Sequence, residues 1–192
     1  MIIKAIVVGA SAQGKTAFVT PLDTSRKPIT MYIPTIGVDL LTYNKSGVRL
    51  QIWDAAGATR FASITRTFFR NINVCIAVYR DPRGLQNAIK QLESCSWLCE
   101  KDYRTILIHN GTNVENELEG QYFAAEQKIP FYSINALDRS QCIQCWHDIM
   151  LYCENEVVYN KFKVEPSRPI GPPLTESVVV RNMSYRNCFG WW

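Results

Sequence analysis

The chain is short of several things that would place it in a functional class at once. It has 2 histidines in 192 residues, and neither His109 nor His147 sits near a matched serine or cysteine nucleophile, which argues against a Ser–His or Cys–His enzyme. No apolar run approaches the roughly 20 residues that a bilayer-spanning helix needs. The apolar N-terminus runs straight into a strand and a glycine loop, so no secretory leader is expected. No charge of one sign dominates: 21 Lys and Arg against 17 Asp and Glu leave a formal +4, weak ground for a nucleic-acid or membrane partner. No internal repeat or low-complexity block is present. The 7 cysteines are an odd count and read as free thiols in a reducing, cytosolic setting. Cys142 and Cys145, with Trp146-His147 following, read as helix neighbours rather than metal ligands. What remains, 47% apolar and 20% charged residues, is ordinary for one globular domain with a full core.

The informative stretch comes first. Ile2 to Val8 is a short apolar strand that leads into Gly9-Ala10-Ser11-Ala12-Gln13-Gly14-Lys15-Thr16, the pattern G-x-x-x-x-G-K-[ST] in its required setting. Such a loop holds phosphate with main-chain N–H groups and the positive end of the following helix. Lys15 is placed to reach the outer phosphates and the Thr16 hydroxyl to ligate Mg²⁺. An ordinary glycine turn is the bland alternative.

The helix after Lys15 should kink or stop early, because Pro21 has no N–H for the preceding turn. Residues 23–31 read as a surface loop, and Thr35 lies on a mobile connection. Val38 to Tyr43 and Val48 to Trp53 read as a hairpin turning at Asn44 to Gly47. The second strand ends in Asp54-Ala55-Ala56-Gly57, and a carboxylate there beside a phosphate loop suits Mg²⁺. Residues 60–71 read as an irregular helix, Val74 to Tyr79 as a buried strand, and Leu85 to Glu100 as a helix with a face of Leu85, Ala88, Ile89, Leu92 and Trp97. Strand, helix, strand and helix then follow at Thr105 to His109, Leu118 to Gln127, Pro130 to Ile134 and Ser140 to Tyr152. His109 reads as a core or edge group, Arg60 and Arg70 as surface charges. The alternation predicts an α/β fold, a three-layer sandwich with a six-stranded, mainly parallel sheet and helices on both faces. Ligands of such sheets bind outside the carboxyl ends of the strands.

These residues resemble the Ras superfamily of small GTPases, a P-loop NTPase fold, and within it the Rab family. The resemblance is carried by GASAQGKT, TIGVDL at 35–40, LQIWDAAG at 50–57, Arg60-Phe61 and FFR at 68–70, and it runs to about residue 155. It implies a nucleotide site at Ala12, Gln13, Gly14, Lys15, Thr16, Ala17, Thr35, Gly57, Asn110, Asn113 and Ala136, with Mg²⁺ at Thr16, Thr35 and Asp54. It implies GTP or GDP as ligand. It implies a monomer in the cytoplasm, with no nucleic acid, that meets protein effectors or regulators through Ile36, Leu40, Trp53 and Phe68. By resemblance the role is a molecular switch in vesicle trafficking or its subversion.

The chain departs from the family where the chemistry is done. The catalytic glutamine is replaced by Ala58, which cannot orient a water. Hydrolysis, slow even in intact relatives without a partner's arginine, should be slower still. The base motif N-K-x-D reads Asn110-Gly111-Thr112-Asn113. It has lost a charged acceptor, and charged hydrogen bonds are about twice as strong as neutral ones. S-A-K reads Asn135-Ala136-Leu137, in which the Ala136 N–H remains to reach a base carbonyl. The aromatic that flanks the base is replaced near Pro28-Ile29. Three alternatives stay open: guanine held mostly through phosphates and Mg²⁺, a shift toward a base with a carbonyl where guanine has its amine, or a non-catalytic Rab-like decoy with weak or no nucleotide binding. The domain is expected over 1–158, followed by a flexible tail at 159–192. The tail ends Asn187-Cys188-Phe189-Gly190-Trp191-Trp192, without a prenylation motif. Contact of the Trp pair with a membrane interface is the alternative to plain disorder.

Overall fold

The computed structural model describes residues 1–26, 29, 31–99 and 103–154. The expectations for Pro28, for Glu100 and for the tail at 159–192 lie outside the described residues. Eleven strands and helices follow one another: β1 (Ile2–Val8), α1 (Lys15–Val19), β2 (Val38–Lys45), β3 (Val48–Ala55), α2 (Ala62–Thr67), β4 (Val74–Tyr79), α3 (Pro82–Leu98), β5 (Arg104–Asn110), α4 (Val114–Gln127), β6 (Phe131–Ile134) and α5 (Arg139–Glu154). They build one six-stranded sheet in the order β2-β3-β1-β4-β5-β6. Only β2 and β3 run antiparallel. Their turn is Ser46-Gly47, both at positive φ, 51° and 80°, the twist that closes a tight hairpin. This is the mostly parallel α/β sandwich that the alternation predicts.

The two faces of the sheet sort by period two. Ala5, Val7, Ile52, Ile76 and Ile106 face Phe18 of α1 and Trp146 and Ile149 of α5. Ile6, Val8, Cys75, Ala77 and Leu107 face Leu85, Ala88, Leu92 and Cys95 of α3 and Ala124 of α4. The central strand β4 is buried along its whole length, between these two apolar layers.

Pro21 acts as expected. The helix after the phosphate loop lasts five residues, and Thr20–Leu22 continue as a tighter 3₁₀ turn. The Phe18 carbonyl, in that interrupted turn, accepts a hydrogen bond from Trp146 Nε1 at 3.0 Å. The two rings stack with centroids 4.7 Å apart, so α5 is bolted to α1 by one fully buried indole.

One expected core residue is misplaced. Trp97 is 85% exposed. The buried stripe of α3 is Leu85, Ala88, Leu92 and Cys95, and a residue two places past Cys95 lies roughly 200° around the helix from it. Helix α4 begins at Val114, a turn earlier than expected, because the Asn113 side chain caps it. Cys142 and Cys145 lie on the buried side of α5 beside Trp146, where burial pushes both thiols up, Cys142 to about 11. Among the described residues no cluster of His, Cys, Asp and Glu suits a metal, and no helix is long and apolar enough to cross a membrane.

Candidate nucleotide site

Every residue expected to touch nucleotide or metal lies at the carboxyl end of the sheet or in the loops and helix starts that follow it, where the crossovers of a parallel sheet leave a crevice. The loop from Gly9 to Thr16 leaves β1. Lys15 curls back along it, buried, and its Nζ donates to the Ala10 carbonyl at 2.8 Å. Burial lowers its pKa to about 8, and Asp54 works against that shift. Gly57 lies flat on the same loop. A Cβ there would stand 2.3 Å from the Ser11 nitrogen, so no other residue brings Asp54-Ala55-Ala56-Gly57 this close.

Three oxygen-bearing side chains converge beside Lys15. Thr16 Oγ1 donates to Asp54 Oδ2 at 2.6 Å. Thr35 Oγ1 is 3.0 Å from Thr16 Oγ1. The only proton of Thr16 is given to Asp54, so Thr35 is the donor in that contact. Asp54 Oδ1 is buried without a partner. Burial raises the Asp54 pKa, opposed by the Thr16 hydrogen bond and by Lys15. The Thr35 segment is pinned at its end by the Ala56 N–H, which donates to the Gly37 carbonyl at 2.8 Å. Arg26 joins its two flanks, pairing with Asp39 at 2.8 Å and with Asp23 at 3.1 Å. Two hydroxyls and a carboxylate with a spare lone pair are hard oxygen donors, and they fit Mg²⁺ shared with phosphate oxygens.

A cavity of about 550 Å³ opens beside this cluster. Ala12, Gly14 and Ala17 form one wall, Arg80 and Asp81 another, and Asn110, Gly111, Thr112, Asn113, Asn116, Asn135, Ala136 and Leu137 the rest. Asn110 joins the walls. Its Nδ2 donates to the Gln13 carbonyl and its Oδ1 accepts from the Ala136 N–H, both at 2.9 Å. The Ala136 N–H, read from sequence as a donor for a base carbonyl, is thus committed to Asn110. Asn113, which stands where the motif has lost its charged acceptor, uses its Oδ1 to accept the Asn116 N–H at 3.0 Å. Its amide N–H groups are what it has left to offer. Gln13 contributes main chain to the site and sends its side chain the other way. That side chain is 6% exposed, its Oε1 accepts from the Arg80 N–H and its Nε2 donates to Asp81 Oδ2. Gly84 makes the room, since a Cβ there would meet Gln13 Oε1 at 2.1 Å.

Ala58 is half-buried with extended backbone, φ −78° and ψ 134°, and starts the 3₁₀ turn Thr59–Phe61. Ile36 is 80% exposed, Leu40 lies opposite Trp53 across the hairpin, and the Trp53 and Phe68 rings are 4.9 Å apart. Sequence reasoning missed Arg80, Asp81 and Asn116. Their signal was positional, for Arg80 and Asp81 directly follow a buried strand. His109 is a core group, as expected: it packs on Tyr79, its Nδ1 is 3.1 Å from Ser133 Oγ, and burial lowers its pKa.

The comparisons agree with this geometry. The model of the Ras family matches residues 4–155. The chain belongs to the Ras family. Relatives within that family include proteins named Rab. It is 29% identical to the Ras-related protein RabC of Dictyostelium discoideum over 154 residues, 73% of this chain and 78% of that one. It is 27% identical to the mouse Ras-related protein Rab-37 over 144 residues, 69% of this chain and 65% of that one. It is 32% identical to the GTP-binding protein YPTM1 of Zea mays over 144 residues, 69% of each chain. The α/β fold is the one expected of a Ras-like protein.

Proposed function

We propose that this Ras-family chain is a Rab-type switch that holds a guanine nucleotide mainly by its phosphates and Mg²⁺, and hydrolyses it slowly. The observation that supports this is a contrast within one site. Lys15, Thr16, Thr35 and Asp54 converge with Asp54 Oδ1 unpartnered, while Ala136 and Asn113 spend their base-reading atoms on the protein itself. Mg²⁺, when bound, neutralises phosphate charge. Thr16, Thr35 and Asp54 would hold it, and Lys15 and the loop N–H groups would grip the phosphates. Thr35 couples this site to Ile36, Leu40, Trp53 and Phe68, the surface we assign to protein effectors or regulators of Rab type. A cytosolic monomer acting in vesicle traffic fits these features.

Native mass spectrometry of the purified chain, with titration of GTP, XTP and ATP in Mg²⁺, tests the reading. GTP should bind in a Mg²⁺-dependent way, with XTP and ATP within about a hundredfold of it, since the missing charge-assisted pair is worth roughly 1.5–3 kcal/mol. No binding of any nucleotide would overturn the proposal and leave the decoy role. A second reading, a base with a carbonyl where guanine has its amine, is favoured by the capping role of Asn113, and XTP binding well above GTP would support it. Hydrolysis is tested separately. Ala58→Gln should raise the single-turnover GTP rate by at least about tenfold, as a positioned polar group does for proton-transfer chemistry. An unchanged rate would mean that Ala58 is not what limits it.

A further inference from the structure

We propose that Arg80 grips the face of the bound base, so that this pocket holds purines by stacking rather than by reading their edges. The proposal rests on the nucleotide reading above and adds a residue that the family motifs do not supply. The Arg80 main chain is fixed on both sides of the cavity wall. Its N–H donates to Gln13 Oε1 of the phosphate loop at 2.6 Å, and its carbonyl accepts from Asn116 Nδ2 at the start of α4 at 3.1 Å. Its guanidinium makes no hydrogen bond or ion pair among the described residues, where the only ion pairs belong to Arg26. Such a group is available to a ligand.

The space beside it comes from the sequence and not from steric need. Gly111 has no left-handed φ, and a Cβ there would meet Arg80 Cγ at 3.8 Å and His109 Nε2 at 3.4 Å, ordinary contacts. The fold would accept a side chain at this position. None is present, and Arg80 stands next to the gap. That His109 Nε2 is buried without a partner, which marks the same spot as one the protein itself leaves unfilled. Leu137, which also lines the cavity, is 76% exposed. Arg80 and Leu137 are the two large side chains of the wall, and the others are Ala, Gly, Thr, Asn or Asp. A planar cation and an apolar side chain suit the two faces of an aromatic ring. Stacking of this kind tolerates different bases, because every base has a π-face.

Calorimetric titration of the full chain with Mg²⁺-bound GTP, ATP and inorganic tripolyphosphate tests this, using wild type, Arg80→Ala and Arg80→Lys. Arg80→Ala keeps both main-chain bonds. It should weaken GTP and ATP by similar factors of about tenfold and leave tripolyphosphate unchanged. Arg80→Lys should recover only part of the loss, since an ammonium lacks the planar face. Equal weakening of tripolyphosphate would overturn the proposal by placing Arg80 on the phosphates. Unchanged nucleotide binding in Arg80→Ala would overturn it too, as would a wild type that binds tripolyphosphate as tightly as GTP. A wild type that binds none of the three would overturn the phosphate-site reading, and this proposal with it.

Discussion

Lys15→Met is expected to weaken binding of a Mg²⁺-bound nucleoside triphosphate by about a hundredfold or more, without lowering the melting temperature of the ligand-stripped protein. The Lys15 ammonium is buried, and its one side-chain hydrogen bond goes to a neutral carbonyl, Ala10, at 2.8 Å. Burial drags its pKa down to about 8 even with Asp54 pulling the other way, so the protein holds this charge at a disadvantage. Methionine keeps the length and the apolar contacts of the stem and removes that strain. A polyphosphate, by contrast, loses its buried cationic partner, a change worth about 2–5 kcal/mol. Stability and affinity therefore move in opposite directions. Calorimetry of binding and thermal unfolding of the same preparation check it. A variant that binds as tightly as wild type would remove Lys15 from the phosphate site.

Asn110→Ala is expected to destabilise the folded chain by about 2–6 kcal/mol, read from urea unfolding. One side chain satisfies two main-chain groups from distant segments, the Gln13 carbonyl and the Ala136 N–H. Truncation leaves both unpaired in partly buried surroundings, at about 1–3 kcal/mol each. Because Asn110 is the tie between the phosphate loop and the loop after β6, nucleotide dissociation should accelerate in the same variant. Asn110→Asp separates the two contacts: a carboxylate still accepts from Ala136 but repels the Gln13 carbonyl. It should weaken the loop tie while keeping the Ala136 bond.

The sheet was legible because its signals are local and repeated. Val74 to Tyr79 reads as a buried strand from six apolar residues, and β4 has those bounds. Pro21 announced the early end of α1 by the chemistry of one missing N–H. Trp97 misled because an apolar residue near the end of a helical stretch fits more than one face until the partner is known. The phosphate side of the site was legible as well, since its motif names the residues and the strand names their setting. The base side was not. That Asn113 serves as a helix cap, or that Ala136 answers to Asn110, depends on which loops meet, and no spacing in the sequence encodes it. Gln13 and Gly84 show the same limit: each looks unremarkable alone, and only their contact explains both.

The bolt between α5 and α1 has a consequence for how the first helix is held. Phe18 sits three residues after Lys15 and takes its carbonyl partner from Trp146. Through that one ring, α5 is tied within a single helical layer to the short helix that carries the cation placed to clasp phosphate. The hold on α1 therefore depends on a helix more than a hundred residues further along the chain, the Trp146–Phe18 pair being separated by 128 positions.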